Sequence, residues 1–132
     1  MSKTIEITIG TDRTLVVTVT KKDPVTGVKS RQDLTGAFCY FRVLRTDLTT
    51  ELTAKDNDPA ALNTGITLYD QVPEATRGQF EIEVDHVDFA SEEPGEGLLF
   101  AVLVRLDPAG TDKRYEVSRG NWTLAAARIV VP

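Results

Sequence analysis

Histidine, cysteine, methionine and tryptophan each occur only once among the 132 residues. A lone cysteine, Cys39, excludes an internal disulfide and a thiolate metal cluster. His86 is the only histidine, and no serine or cysteine can be placed beside it with an orienting carboxylate. The sequence therefore shows no recognisable triad or dyad for nucleophilic catalysis. We therefore predict a protein that is not an enzyme.

Long apolar segments are also missing. No stretch approaches the roughly 20 apolar residues that cross a bilayer. The N-terminal sequence MSKTIEITIG lacks the apolar core of a secretion signal. We expect a chain that is synthesised in the cytoplasm and has no membrane partner.

An excess of basic residues is absent too. The net charge is −5 and the isoelectric point is near 4.9, which disfavours nucleic acid as a partner because phosphate binding needs a basic surface. Hydrophobic residues make up 41% and charged residues 27% of the chain, as is ordinary for a globular domain. We predict a single domain over residues 1–132.

The stretch GLLFAVLVRL at residues 97–106 is the strongest structural signal. Apolar residues occupy both parities, which indicates a strand that is covered on both faces. The stretch is short, follows Pro94-Gly95 and ends at a turn with Pro108 and Gly110, so a helix is disfavoured. We predict the central strand of a β-sandwich here.

Alternating apolar residues predict the other strands, at residues 3–9, 13–20, 37–45, 49–55, 66–70, 78–85, 113–119 and 121–131. Residues 21–33 are predicted mainly as a connection with room for a small hairpin, and residues 86–93 as a short helical turn. Gly120 is expected to mark a bulge or a close backbone contact, and Trp122 to anchor the core. The fold class is predicted as an all-β, antiparallel, immunoglobulin-like sandwich of eight or nine strands.

Two acidic segments are candidate metal sites. Asp56-Asn57-Asp58 supplies oxygen ligands suited to calcium, but lacks the glycine and closing glutamate of an EF-hand loop. His86 near acidic neighbours is expected to be a surface residue rather than a ligand. We predict no catalytic residue, cofactor or metal, and calcium at residues 56–58 stays an open alternative.

Several short turn signals follow one another in an informative order. They are Gly10-Thr11-Asp12, DLTGAFCYFRVLR at 33–45, GITL at 65–68, RGQFEI at 77–82 and Pro94-Gly95 before the long apolar strand. This order resembles the Ig-like sandwich modules of tailed-bacteriophage virion proteins, notably the N-terminal domain of baseplate upper proteins. The resemblance implies a structural component of the virion, in the tail, baseplate or a connector. It also implies other virion proteins as partners, in a homo-oligomer or on a lattice.

Two alternatives remain at this stage. The chain could be a capsid decoration protein, or a module that binds a host receptor or a carbohydrate. The latter would favour exposed aromatic residues in loops, whereas the aromatic residues here lie mainly in predicted strands.

The register implied by the resemblance places Cys39, Phe41 and Val43 inward. Phe38, Tyr40 and Arg42 then point outward and form a candidate interface, since aromatic residues and arginine are enriched in protein interfaces. The alternative is that residues 21–32 of the same chain cover Phe38 and Tyr40. The apolar residues 125–131 could also add a strand to a partner, although pairing within their own sheet is favoured.

Overall fold

The computed structural model describes residues 3–61, 63–95 and 97–126. These residues form ten strands, and none of them lies in a helix. The strands are β1 (Lys3–Thr8), β2 (Arg13–Thr18), β3 (Thr20–Lys22), β4 (Lys29–Arg31), β5 (Phe38–Arg45), β6 (Glu51–Asp56), β7 (Ile66–Leu68), β8 (Gln79–Val84), β9 (Gly97–Leu106) and β10 (Lys113–Ala125).

Two sheets enclose the core. The large sheet has the order β1-β10-β9-β5-β6, and the small sheet has the order β2-β8-β7. The short strands β3 and β4 pair only with each other. The prediction of an all-β sandwich is confirmed. β9 is the middle strand of the large sheet, as predicted, and β6 is an edge strand.

Strand alternation determines which side chains fill the space between the sheets. Phe41 of β5, Phe80 of β8 and Trp122 of β10 are completely buried. The ring centroid of Trp122 lies 5.5 Å from that of Phe41, 5.7 Å from Phe89 and 5.9 Å from Phe100. Aromatic pairs at such separations add to the stabilisation from area burial. Trp122 therefore anchors the core as predicted.

Two details of strand pairing differ from the prediction. β1 runs parallel to β10, with Ile5 opposite Trp122, so the large sheet is not purely antiparallel. Residues 113–125 form one continuous strand rather than two. The register shift lies between Glu116 and Ser118 instead of at Gly120. Gly120 is buried opposite Phe100.

Two connections also differ. Residues 20–31 form a complete hairpin, β3–β4, with all of residues 20–30 exposed. Residues 86–93 form consecutive turns instead of a helical segment, with backbone bonds such as Asp88 N to Asp85 O at 3.0 Å. Phe89 is buried against Trp122. The packing of this ring in the core fixes the position of the segment, although its backbone does not form the repeating hydrogen bonds of a helix.

The expectation that β9 is covered on both faces is wrong. Its inward residues, from Leu98 to Val104, are buried, but the alternate residues Leu99, Ala101 and Leu103 remain partly exposed. Their partial exposure means that no element of the described chain covers them completely. The apolar residues of the second parity thus belong to an accessible surface.

Candidate interaction surface

The outward side chains of β5 and β9 form a continuous, partly exposed surface, which we call the outer face. Neighbouring positions in these antiparallel strands share one side of the sheet, as in the pair Tyr40 and Leu103. All members are of intermediate exposure. They are Phe38, Tyr40, Arg42, Leu44, Leu99, Ala101, Leu103 and Arg105.

Tyr40 is held in a defined position on the outer face. Its hydroxyl donates a hydrogen bond to the carboxylate of Asp58. The guanidinium carbon of Arg42 lies 5.8 Å from the centroid of the Tyr40 ring, within the range of a cation–π contact. Partial burial, followed by the neighbouring Asp58 carboxylate, raises the pKa of Tyr40. The ring is therefore neutral and preorganised.

Arg42 is oriented by groups along the β5–β6 edge. One terminal nitrogen donates to the carbonyl oxygens of Phe41 at 3.0 Å and Lys55 at 3.3 Å. Its Nε lies 3.1 Å from a carboxylate oxygen of Glu51. The side chain remains 28% exposed. A cation held in this way loses little conformational entropy when it contacts a partner.

Arg105 provides a second ordered cation at the other end of the outer face. Its Nε donates to Asp112, and a terminal nitrogen donates to the same carboxylate at 3.2 Å. This two-point pairing raises the pKa of Arg105. It is also the main reason that the pKa of Asp112 is lowered to about 2. Bidentate pairs of this kind fix geometry as well as charge.

The Asp56–Asp58 loop uses its carboxylates for structure. Asp56 is fully buried and accepts hydrogen bonds from the side chain of Asn63 at 2.9 Å and the backbone of Asp58 at 3.2 Å. Asp58 accepts from Tyr40 and from the backbone of Ala60. Within the described ranges, no group of three acidic, histidine or cysteine side chains is arranged to hold a metal ion.

His86 lies on the surface, with 61% of its side chain exposed. Its Nδ1 lies 2.9 Å from the Asp12 carboxylate, which also accepts the His86 backbone N–H. The nearby Asp85 and Asp88 pair instead with the ammonium group of Lys55. The histidine therefore contacts an acidic residue from another turn, which sequence spacing did not indicate.

Cys39 is not placed to act as a nucleophile. Its side chain is fully buried in β5, and burial raises the pKa of its thiol to about 12. Only a minute fraction of such a thiol is ionised near neutral pH, and the thiolate is the reactive form.

The paired glutamates of β8 lie on an open sheet surface. Glu81 accepts a hydrogen bond from the Tyr69 hydroxyl at 3.2 Å, and Glu83 accepts one from Thr14 at 3.3 Å. A pair of carboxylates that cleaves a sugar needs a cleft that sets their separation. These two residues lie instead on the outward side of β8, where Glu81 is partly exposed and Glu83 is exposed.

The structure places Phe38, Tyr40 and Arg42 together on one side of β5, opposite the buried Cys39 and Phe41. Residues 20–31 pair with themselves, and the base of this hairpin bonds to the backbone of Gly78 through Val19. The hydroxyl of Tyr40 bonds to the loop that carries Asp58.

The sequence did not identify the contribution of β9 to this surface. Leu99 and Leu103 were assigned to a covered face, because a strand with apolar residues on both parities is usually buried. Arg105, which interrupts that parity, was the one signal of accessibility. The predicted strand to Val131 is described only to Ala125; residues 127–131 lie outside the described residues.

No helix in the described part of the chain is long and apolar enough to cross a membrane. Comparison with protein-family models and with curated proteins found no match for this chain.

Proposed function

We propose that the protein is a non-enzymatic structural component of a tailed-phage virion, in a tail, baseplate or connector assembly, and that it acts through protein–protein contacts. The observation that carries this proposal is the outer face. It joins aromatic, aliphatic and arginine side chains on a rigid sheet, in the composition that is typical of protein interfaces. The turn signals that resemble phage sandwich modules supply the virion context.

The rigidity of the outer face supports an assembly role. Tyr40 and Arg42 are held by Asp58 and Glu51, and Arg105 is held by Asp112. Their backbone belongs to β5 and β9, two inner strands of the large sheet. A surface that is ordered before binding loses less free energy on association.

Two alternatives fit the same fold. A capsid decoration protein would use the outer face on a lattice and remain a monomer in isolation. A receptor- or carbohydrate-binding module would use loops, but large exposed aromatic side chains are scarce in the described loops. Tyr69 is half buried and Phe89 is buried. The outer face therefore favours assembly.

The test is light scattering after size exclusion, over a concentration series at about 0.5 M salt, where contacts between exposed charges are screened. We expect an oligomer that is stabilised by the outer face. Phe38→Glu with Tyr40→Lys should weaken association by at least about tenfold, because both side chains would place charge in an apolar contact. Circular dichroism should remain unchanged.

A matched control carries the same two charges on the small sheet, as Val16→Glu with Thr67→Lys, since both positions are exposed there. This control should associate like the wild type. Equal association of the outer-face variant and the control would reject the interface. A wild-type monomer at every concentration would favour the alternatives, and binding to capsids or glycans would then be measured.

A further inference from the structure

The β3–β4 hairpin with its turn (residues 20–31, the basic arm) concentrates positive charge on an acidic protein. It contains four cations and one carboxylate. Lys22 and Lys29 lie directly opposite each other in the hairpin register, and like charges in this position are destabilising. Neither lysine has an ion pair with a described carboxylate. The fold alone therefore leaves this repulsion uncompensated.

The tip of the basic arm is rigid and apolar. The Asp23 carboxylate accepts hydrogen bonds from the backbone of Val25 at 2.8 Å and Thr26 at 3.1 Å, and the Asp23 backbone bonds to Gly27 and Val28. The two valines are 91% and 63% exposed. An ordered apolar tip between cations matches a protein surface that has both apolar and acidic groups. A free anion is a poorer match, because it offers no apolar group for the tip to contact.

The turns after β8 (residues 85–93, the acidic loop) have the complementary composition. They contain four carboxylates and no lysine or arginine, and Val87 among them is 64% exposed. Lys55 pairs with Asp85 and Asp88, and Arg45 with Glu92. The loop nevertheless keeps an excess of negative charge.

The basic arm and the acidic loop lie at opposite ends of the small sheet. β2 leads into the arm at Thr18, which is opposite Gln79, the first residue of β8. The acidic loop follows Val84, the last residue of β8, which is opposite Arg13. Six strand residues at about 3.3 Å each separate the two ends by roughly 20 Å. The arm therefore cannot reach the loop of its own chain.

We propose that the basic arm of one copy docks on the acidic loop of the next copy. The apolar tip contacts Val87, and the arm lysines face the loop carboxylates. This contact joins two different surfaces, so repetition produces a ring if the rotation closes and a filament if it does not. The inference rests on the proposed assembly function and specifies a second contact within it.

Two reversed variants test this contact. The arm variant is Lys22→Glu with Lys29→Glu. The two new glutamates are again like charges opposite each other, so the repulsion within the hairpin should be similar to that between the two lysines. The loop variant is Glu93→Lys with Asp85→Lys, which changes the two exposed carboxylates of the acidic loop. Both are made in the Phe38→Glu, Tyr40→Lys background and studied at about 0.05 M salt, where charge contacts are least screened.

The parent of these variants should associate with rising concentration and lose at least about tenfold in affinity at 0.5 M salt. Each reversed variant alone should remain a 14.5 kDa monomer. An equimolar mixture of the two should associate again, because each reversed arm then meets a reversed loop and each native arm a native loop. Lys113→Glu with Arg119→Glu, a charge-matched control on β10, should behave like the parent.

The contact is overturned if the parent is a monomer at low salt, if either reversed variant associates like the parent, or if the mixture stays monomeric. These results are independent of the outer-face test, which uses high salt and different residues. Failure of the outer face alone would leave the arm–loop contact in place, and the reverse also holds.

Discussion

The thiol of Cys39 is fully buried in the core, near the beginning of β5. Burial raises its pKa from an ordinary value of 9.0 to about 12, because the interior disfavours the thiolate. A group whose pKa is raised by folding stabilises the folded state fully below the unfolded pKa. That stabilisation is lost as the pH rises from about 9 towards about 12.

We expect the free energy of unfolding to fall above about pH 9, with a contribution from Cys39 of up to about 1.4 kcal/mol per pH unit. Urea unfolding of the wild type and Cys39→Ala across this range measures it. The alanine variant loses the thiol and should show a shallower decline. Parallel curves for the two proteins would mean that the thiol does not control stability here.

At the scale of elements, the junction between the basic arm and β8 depends on a very close backbone approach. Gly78 has a φ of +77°, and a Cβ at this position would lie 2.6 Å from the carbonyl oxygen of Val19 and 3.1 Å from that of Gln32. The same carbonyl of Val19 accepts a bond from Gln32 N, and Val19 N donates to Gly78 O at 2.7 Å. No side chain fits there without moving this network.

Gly78→Ala should therefore destabilise the protein by at least about 2 kcal/mol, since it combines an unfavourable φ with a steric clash. Gly36→Ala is the matched control, because Gly36 has a φ of +73° but no atom within 4 Å of the added Cβ. The control should cost about 1 kcal/mol from the backbone alone. Equal losses in urea unfolding would show that the junction can relax.

At the scale of the whole molecule, the turns depend on ionised aspartates. Hydrogen bonds or a paired cation lower the pKa of six of them, and in Asp47 the backbone of Thr50 is the largest cause, with a resulting pKa of about 2. The six are Asp12, Asp23, Asp33, Asp47, Asp58 and Asp112. These carboxylates sit in turns on different sides of the fold, so their protonation affects the molecule as a unit.

We expect thermal stability to decrease as the pH falls from about 4 towards 2. A lowered pKa in the folded state gives stabilisation that is present above the unfolded pKa and is lost as the carboxylate protonates. Circular dichroism melts over this range measure the effect. Asp47→Asn removes one of these carboxylates and should make the dependence of the melting temperature on pH less steep. A midpoint that is constant down to pH 2 would contradict this account.

Local sequence predicted most of the strands and the inward residues of the core strands. Alternation is a property of neighbouring residues, so the inward set of β8 and the burial of Trp122 followed directly from it. The same rule placed Phe38, Tyr40 and Arg42 on one side of β5. It did not predict which other residues cover them.

Only the tertiary structure decided which strands pair and which surfaces lie next to each other. The parallel pairing of β1 with β10, the open side of β9 and the separation of the basic arm from the acidic loop all depend on residues far apart in the chain. Apolar residues on both parities of β9 predicted cover, yet cover depends on whether another element packs there. Whether an element packs there depends on the balance, over the whole chain, between the apolar surface that is buried and the conformational entropy that is lost. The sequence of a single segment does not determine this balance.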